Sequence, residues 1–356
     1  MPLFYNYRYD QLNRIVSMQA YQGLTGTNTW TPTAMNDYSE AISYDPNGNI
    51  MSYNRNGINP AKTPPSGYAG GYDMDKLRYK YYYYDASDNK LPYNPVTGVP
   101  AGGRATNQLA WVDDEVTNDN AYPDDINKQN YTDNYQYDEI GNLVKDKTEG
   151  ITNINWTVYG KIASIQKGES TISYTYDASG NRVTKTANNK TTVYVRDPSG
   201  NVMSVYEREG VGAMLQTETH LYGITRIGIA TQLTKPVTTE DLQGGFGKAN
   251  ISIFTRGEKL FELSNHLGNV LATVTDRKLQ QTADNTAVAY YVSDVVSAQD
   301  YYPFGSLMPG RKFSSGNYRY GFNGKENDNE VKGIEGSQQD YGMRIYDSES
   351  GKVFEC

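Results

Sequence analysis

One short pattern recurs along this chain and limits what the chain can fold into. Tyr7-Arg8-Tyr9-Asp10-Gln11-Leu12-Asn13-Arg14-Ile15 returns as Ile42-Ser43-Tyr44-Asp45-Pro46-Asn47-Gly48-Asn49-Ile50. It returns again around Tyr84-Asp85, Tyr137-Asp138 with Gly141, Tyr176-Asp177 with Gly180, and Asp197 with Gly200. The aspartates are separated by 35, 40, 53, 39 and 20 residues, which predicts weaker copies about every 20 residues between the clear ones. Asn265-His266-Leu267-Gly268-Asn269 reads as a degenerate copy. Repetition at such a period marks a stack of small units, each unable to bury its apolar face alone.

Each unit reads as a β-hairpin. Tyr-x-Tyr alternates at the period of a strand, so one face carries the rings. Asp-x-x-Gly-Asn supplies the reversal, because Asp bonds the backbone two residues on and Gly tolerates positive φ. No window holds a helical apolar period, so the fold is expected to be all-β: repeated hairpins in a long curved antiparallel sheet. The repeat also accounts for a skewed composition of 33 Tyr against 8 Phe and 3 Trp. A half-buried strand suits a ring with a polar tip. The Pro-, Gly- and Asn-rich stretches 55–72 and 92–107, the acidic stretch 113–134, and residues 232–250 and 277–288 read as loops between hairpins.

Composition narrows the function. A formal charge of −8 gives no basic footprint for nucleic acid. The single Cys356 and two histidines, His220 and His266, leave little for a disulfide, a metal site or general-base chemistry. The Asp45-Pro46-Asn47-Gly48-Asn49 stretch lacks the Gly at position six and the Glu at twelve of a calcium loop, so turn chemistry explains it. No cofactor is expected. No apolar run reaches the length of a membrane helix, and the first ten residues lack signal-peptide character. The chain reads as a piece of a larger architecture.

The Tyr-Asp…Gly-Asn repeat, from about residue 5 to 206, resembles the YD repeat of the RHS (rearrangement hotspot) family. Glu262 to Leu271 and Asp300-Tyr301-Tyr302-Pro303-Phe304-Gly305 resemble the segment before that family's repeat-associated core. Tyr318 to Asp328, carrying Arg319, Gly324, Lys325 and Glu326, and Asp340 to Asp347, carrying Arg344 and Tyr346, resemble the core itself. The resemblance implies three regions: repeats over 1–210, degenerate repeats and pre-core over 211–299, and a truncated core over 300–356. It implies a spiral β-shell that encloses or displays a C-terminal, toxin-like polypeptide. The full-length protein would be secreted or at the cell surface, with the rest of the polypeptide and the cargo as partners.

In some family members the core is a self-cleaving aspartyl protease, and the resemblance places its aspartates at Asp328 and Asp347. This chain departs from that pattern. Asn327 stands where those members have Arg, Ser348 stands where they have Pro, and the Asp-Pro-x-Gly-Leu stretch does not follow. The expectation is a container without catalysis, with Arg344 pairing a carboxylate to hold the plug. An alternative is a surface protein binding cell-surface glycans through its tyrosines.

Overall fold

The computed structural model describes residues 3–24, 30–58, 71–117, 122, 125–231, 238–242, 247–251, 255–282, 286–315, 318–341 and 345–354. The fold is all-β, as the repeat requires. A first antiparallel sheet of seven strands runs in sequence order from Phe4–Tyr9 through Ile15–Leu24, Trp30–Tyr44, Ile50–Ile58 and Gly71–Tyr84 to Lys90–Leu91, with Arg104–Asp114 also paired to Gly71–Tyr84. A second sheet of fourteen strands meanders from Tyr135–Tyr137 to Leu307–Ser314. Neighbours in sequence are neighbours in the sheet, with one interruption: the hairpin Thr238–Leu242/Gly247–Ile251 stands apart between Arg226–Thr231 and Lys259–Ser264. Three short strands, Gln338–Asp340, Ile345–Asp347 and Lys352–Phe354, form a third sheet.

Several stretches expected as loops are strand. Arg55 to Ile58 continue one strand and Arg104 to Asn107 begin another, because each has a neighbour whose free backbone groups they satisfy. Residues 277–282 lie in Val270–Thr282, whose partner Val288–Tyr301 pairs with it out to Thr282.

The reversals share one geometry. In the Asp177 turn the Asp177 N–H donates to the Asn181 carbonyl at 3.0 Å and the Gly180 N–H to the Asp177 carbonyl at 3.0 Å. The Asp177 carboxylate accepts from the backbone N–H of Ser179 and Asn181 and from the Asn181 amide. The same bonds recur at Asp85, Asp138 and Asp197, and at Asp45 the two from Asn49 recur. At Asp10, Arg14 takes the place of the terminal Asn. Turns with the same backbone bonds stand at Thr157–Lys161, Asn265–Asn269, Tyr302–Ser306 and Gly321–Lys325. The first of these supplies the copy missing between Asp138 and Asp177.

At six turns the side chain just before the turn ties it to the turn one hairpin earlier. Tyr44 donates its hydroxyl to the Ile15 carbonyl at 2.7 Å, Tyr176 to Ile162 at 2.9 Å, Tyr222 to Val202 at 2.9 Å and Tyr301 to Val270 at 3.0 Å. Where the tyrosine is replaced, another donor serves: Trp156 Nε1 bonds Leu143 at 2.8 Å and Arg196 Nε bonds Arg182 at 3.0 Å. Every acceptor is the residue that follows a turn. This staple is the physical use of the recurring tyrosine.

The fourteen-stranded sheet is about 62 Å across at ~4.8 Å per strand, yet both its ends touch the first sheet. At one end Tyr82 donates to the Tyr135 carbonyl at 2.8 Å and Tyr137 to the Leu109 carbonyl at 3.0 Å. At the other, Tyr302 donates to the Asn56 carbonyl at 2.6 Å and Tyr38 to the Pro309 carbonyl at 3.1 Å. Met308 packs there with Met18 and Met74. The sheet therefore curves back on itself, and side chains rather than a ladder join it to the first sheet. Inside lies one core cluster drawing on all three sheets: Tyr53, Leu77 and Tyr79, then Leu143, Ile165 and Ile172, then Val331 and Ile345. The C-terminal segment thus fills the inner faces.

Candidate functional site: the seam between the sheets and the C-terminal segment

The residue after each turn points inward. Ile50, Leu143 and Ile162 occupy that place and are buried. In the Asp177 copy the same place holds Arg182, so the repeat drives a guanidinium into the core, where its side chain is 2% exposed. Its Nη1 donates to Asp328 at 2.7 Å, and its Nη2 lies 3.1 Å from Glu326 and 3.2 Å from Asp340. The rings of Tyr174 and Tyr194 flank it at 5.4 and 5.2 Å, a cation–π setting strengthened by the absence of water. Lys185, on the same strand, reaches Asp328 at 3.2 Å and Glu330 at 3.0 Å. Arg319 spans Glu326 at 3.3 Å and Glu218 at 3.1 Å.

The sheet contributes Arg182, Lys185 and Glu218, and the C-terminal segment contributes Arg319, Glu326, Asp328, Glu330 and Asp340. Burial works to raise the Glu326 carboxyl, but Arg319, Arg182 and Lys185 together hold it well below the usual carboxylate range. Burial likewise works against the charge on Lys185, and Asp328 and Glu326 outweigh it, raising the ammonium above its ordinary value. Removing one partner from such a network strands the others without water, which is why it fixes the two segments against each other.

Two further anchors lie along the seam. Lys332 Nζ donates to Asp347 at 2.8 Å and lies 3.7 Å from Glu349. Burial pushes the Glu349 carboxyl up to about 8, Lys332 opposing and Asp347 adding to the shift. In the first sheet Arg55 pairs with Asp75 at 2.6 Å, both side chains fully buried, and donates to Ser306 Oγ of the second sheet at 2.5 Å.

Asp328 and Asp347 are both buried, and each answers to its own cation. The strand Gln338–Asp340 runs between them. The Asp328 N–H donates to the Gln338 carbonyl, and Gln338 stands opposite Asp347. Two strand spacings put their backbones about 10 Å apart.

The other expected core residues are structural neighbours of this network. Gly324, at φ 64°, closes the turn from Gly321, and its carbonyl accepts from Arg226 Nη2 at 2.9 Å. Lys325 lies over the Tyr341 ring at 5.3 Å. Tyr346 donates to the Phe304 carbonyl at 2.7 Å and stacks near Phe322. Arg344 lies outside the described residues. Of the cations that grip carboxylates here, the motif singled out Arg319 but not Arg182, Lys185 or Lys332. One signal was present: Arg182 is a charge at a place where most copies carry Ile, Leu or Val, although the Asp85 copy carries Lys90, and Glu326 holds the same place after the Gly321–Lys325 turn. His220 is buried, its Nε2 at 3.1 Å from the Tyr320 hydroxyl, and His266 sits exposed within its turn.

No family model matches the sequence, and no curated protein matches it. Among solved structures the chain is similar to the TcdB2-TccC3 crystal structure, with 14% identity over 99% of this chain and 17% of that one at a TM-score of 0.42. It is similar to TcdB2-TccC3-Cdc42 at 12% identity, covering 99% and 19%, TM-score 0.44. It is similar also to TcdB2-TccC3 without its hypervariable C-terminal region at 13%, covering 99% and 19%, TM-score 0.41. The chain spans less than a fifth of the length of these chains. No helix among the described residues is long and apolar enough to cross a membrane.

Proposed function

We propose that this chain is a structural segment of a β-shell whose C-terminal part, residues 318–354, steadies the inner face and leads to a carried polypeptide. One observation carries this reading: a fourteen-stranded sheet returns to the first sheet around a segment held by buried ion pairs, Arg182–Asp328 foremost. In this reading Asp328 and Asp347 are anchors rather than a proteolytic pair. The protein acts by enclosing, as part of an RHS-like polypeptide that is secreted or displayed at a cell surface. Further hairpins of that polypeptide would join at the edge strand Phe4–Tyr9. Tyr9, which precedes a turn as Tyr44 and Tyr176 do, is 59% exposed there.

The test is protection. A short unfolded reporter fused after Cys356 should resist protease in the folded chain, and should be cut readily once Arg182→Glu opens the seam. Equal cleavage in both would sink the container reading. The anchor role predicts that the extended chain stays whole on prolonged incubation; self-cleavage that stops in Asp328→Asn and Asp347→Asn would replace it with the autoprotease.

A further inference from the structure

We propose that the outward face of the first sheet carries a saccharide site: a groove that takes an oligosaccharide bearing a carboxylate. The groove encloses about 440 Å³, and its rim is set by alternate residues of neighbouring strands: Asn6 and Arg8, Gln19 and Tyr21, Asn54 and Asn56. Such positions form a lattice of polar groups about 4.8 Å apart across strands and ~6.8 Å along them.

The groove exists because the ladder breaks. Met18 stands opposite Glu40, but Ala20 stands opposite Met35, so Asn36 to Ser39 leave the sheet as a bulge. Tyr38 in that bulge has φ 60°, a conformation costly for a bulky side chain. Its hydroxyl is tied to the Pro309 carbonyl, and the Asn56 amide bonds the Asn36 carbonyl at 3.0 Å and Ser39 Oγ at 2.9 Å. The wall is therefore fixed before any ligand arrives. Bulges that re-aim side chains in this way gather at binding sites.

The chemistry of the rim selects the ligand. Side-chain amides each offer a donor and an acceptor to neighbouring hydroxyls, and the Tyr21 ring, braced by Phe4 at 6.0 Å between centroids, offers a flat apolar face. Arg8 is exposed with no ion-pair partner among the described residues, in a chain of net charge −8 where Arg14, Arg55, Arg78 and Arg226 each hold a carboxylate. Its fork suits a sugar carboxylate. Glu40 turns its buried side chain to the other face of the sheet, where it stands opposite Arg55 and accepts from the Tyr53 hydroxyl at 2.8 Å. An extended peptide lying in the groove is disfavoured, because Ile15–Leu24, Trp30–Tyr44 and Ile50–Ile58 beneath it are paired on both sides and offer it no ladder.

Calorimetric titration of the full chain with a short oligogalacturonate and a neutral oligosaccharide of equal length tests this. We expect saturable one-site binding of the acidic sugar, with the neutral one at least tenfold weaker. Arg8→Gln and Tyr21→Ala should each lose at least tenfold with unchanged melting, and Lys145→Gln on the second sheet should lose nothing. The inference is overturned by absence of saturable binding, by equal binding of the neutral sugar, by undiminished binding in Arg8→Gln, or by an unstructured peptide competing at the same site.

Discussion

Arg182 shows how a single residue can be both repeat and exception. Placed one residue after its turn, it goes where Ile50 and Leu143 go, and it survives there only because Asp328, Glu326 and Asp340 meet it. Arg182→Met leaves those carboxylates buried without their partner and is expected to cost about 3–5 kcal/mol, read as a lower urea midpoint; an unchanged midpoint would mean the network holds nothing together. Glu40 gives a pH signature. The unfolded chain gives up this proton near the ordinary value of 4.5 and the folded chain holds it to about 8, with burial as the main cause. The stability it lends is full below 4.5 and is lost as pH rises to about 8. Glu40→Gln should therefore gain on the parent between pH 5 and pH 8, by up to a few kcal/mol at about 1.4 kcal/mol per pH unit. Arg182 and Glu326 were legible as charges at an apolar place in the repeat. Which charges they meet was not, since partners 146 residues apart leave no local trace.

At the scale of the hairpin, the sequence was most readable and also most misleading. Asp and Asn made six turns visible, yet Thr157–Lys161, Tyr302–Ser306 and Gly321–Lys325 fold the same way without that pair. What the turn demands is the positive φ of its fourth residue, 70° at Gly160, 93° at Gly305 and 64° at Gly324; the carboxylate only caps it. Gly180→Ala is accordingly expected to cost more than about 1 kcal/mol, because φ is 82° and the added Cβ would lie 2.9 Å from Lys161 Nζ. The staple is worth less: Tyr176→Phe keeps the ring and loses one bond to the Ile162 carbonyl, about 1 kcal/mol, measurable by chemical denaturation, and no loss would show that the hydroxyl does not matter. The loop-like composition of 92–107 concealed the start of the strand Arg104–Asp114, because tertiary pairing there overrides Gly and Thr content.

Across the whole molecule, hairpins that cannot bury their faces alone demanded a cover, and the repeat pattern said so. That the cover would be the chain's own residues 318–354 could not be read from spacing. Removing residues 316–356 should uncover Tyr53, Leu77 and Ile165 on the inner faces, seen as bound hydrophobic dye and self-association; a truncated chain that stays monomeric and dye-free would deny the cover its role. The cover also sets a schedule. The first sheet is complete by residue 114, but Tyr79 within it waits for the Ser350 carbonyl, 271 residues later, to receive its hydroxyl at 2.7 Å. At a synthesis rate of about 5–20 residues per second, the inner face of the completed sheet stays open for roughly 12–47 seconds. A cell making this protein must shelter an unfinished, ring-lined surface for that long.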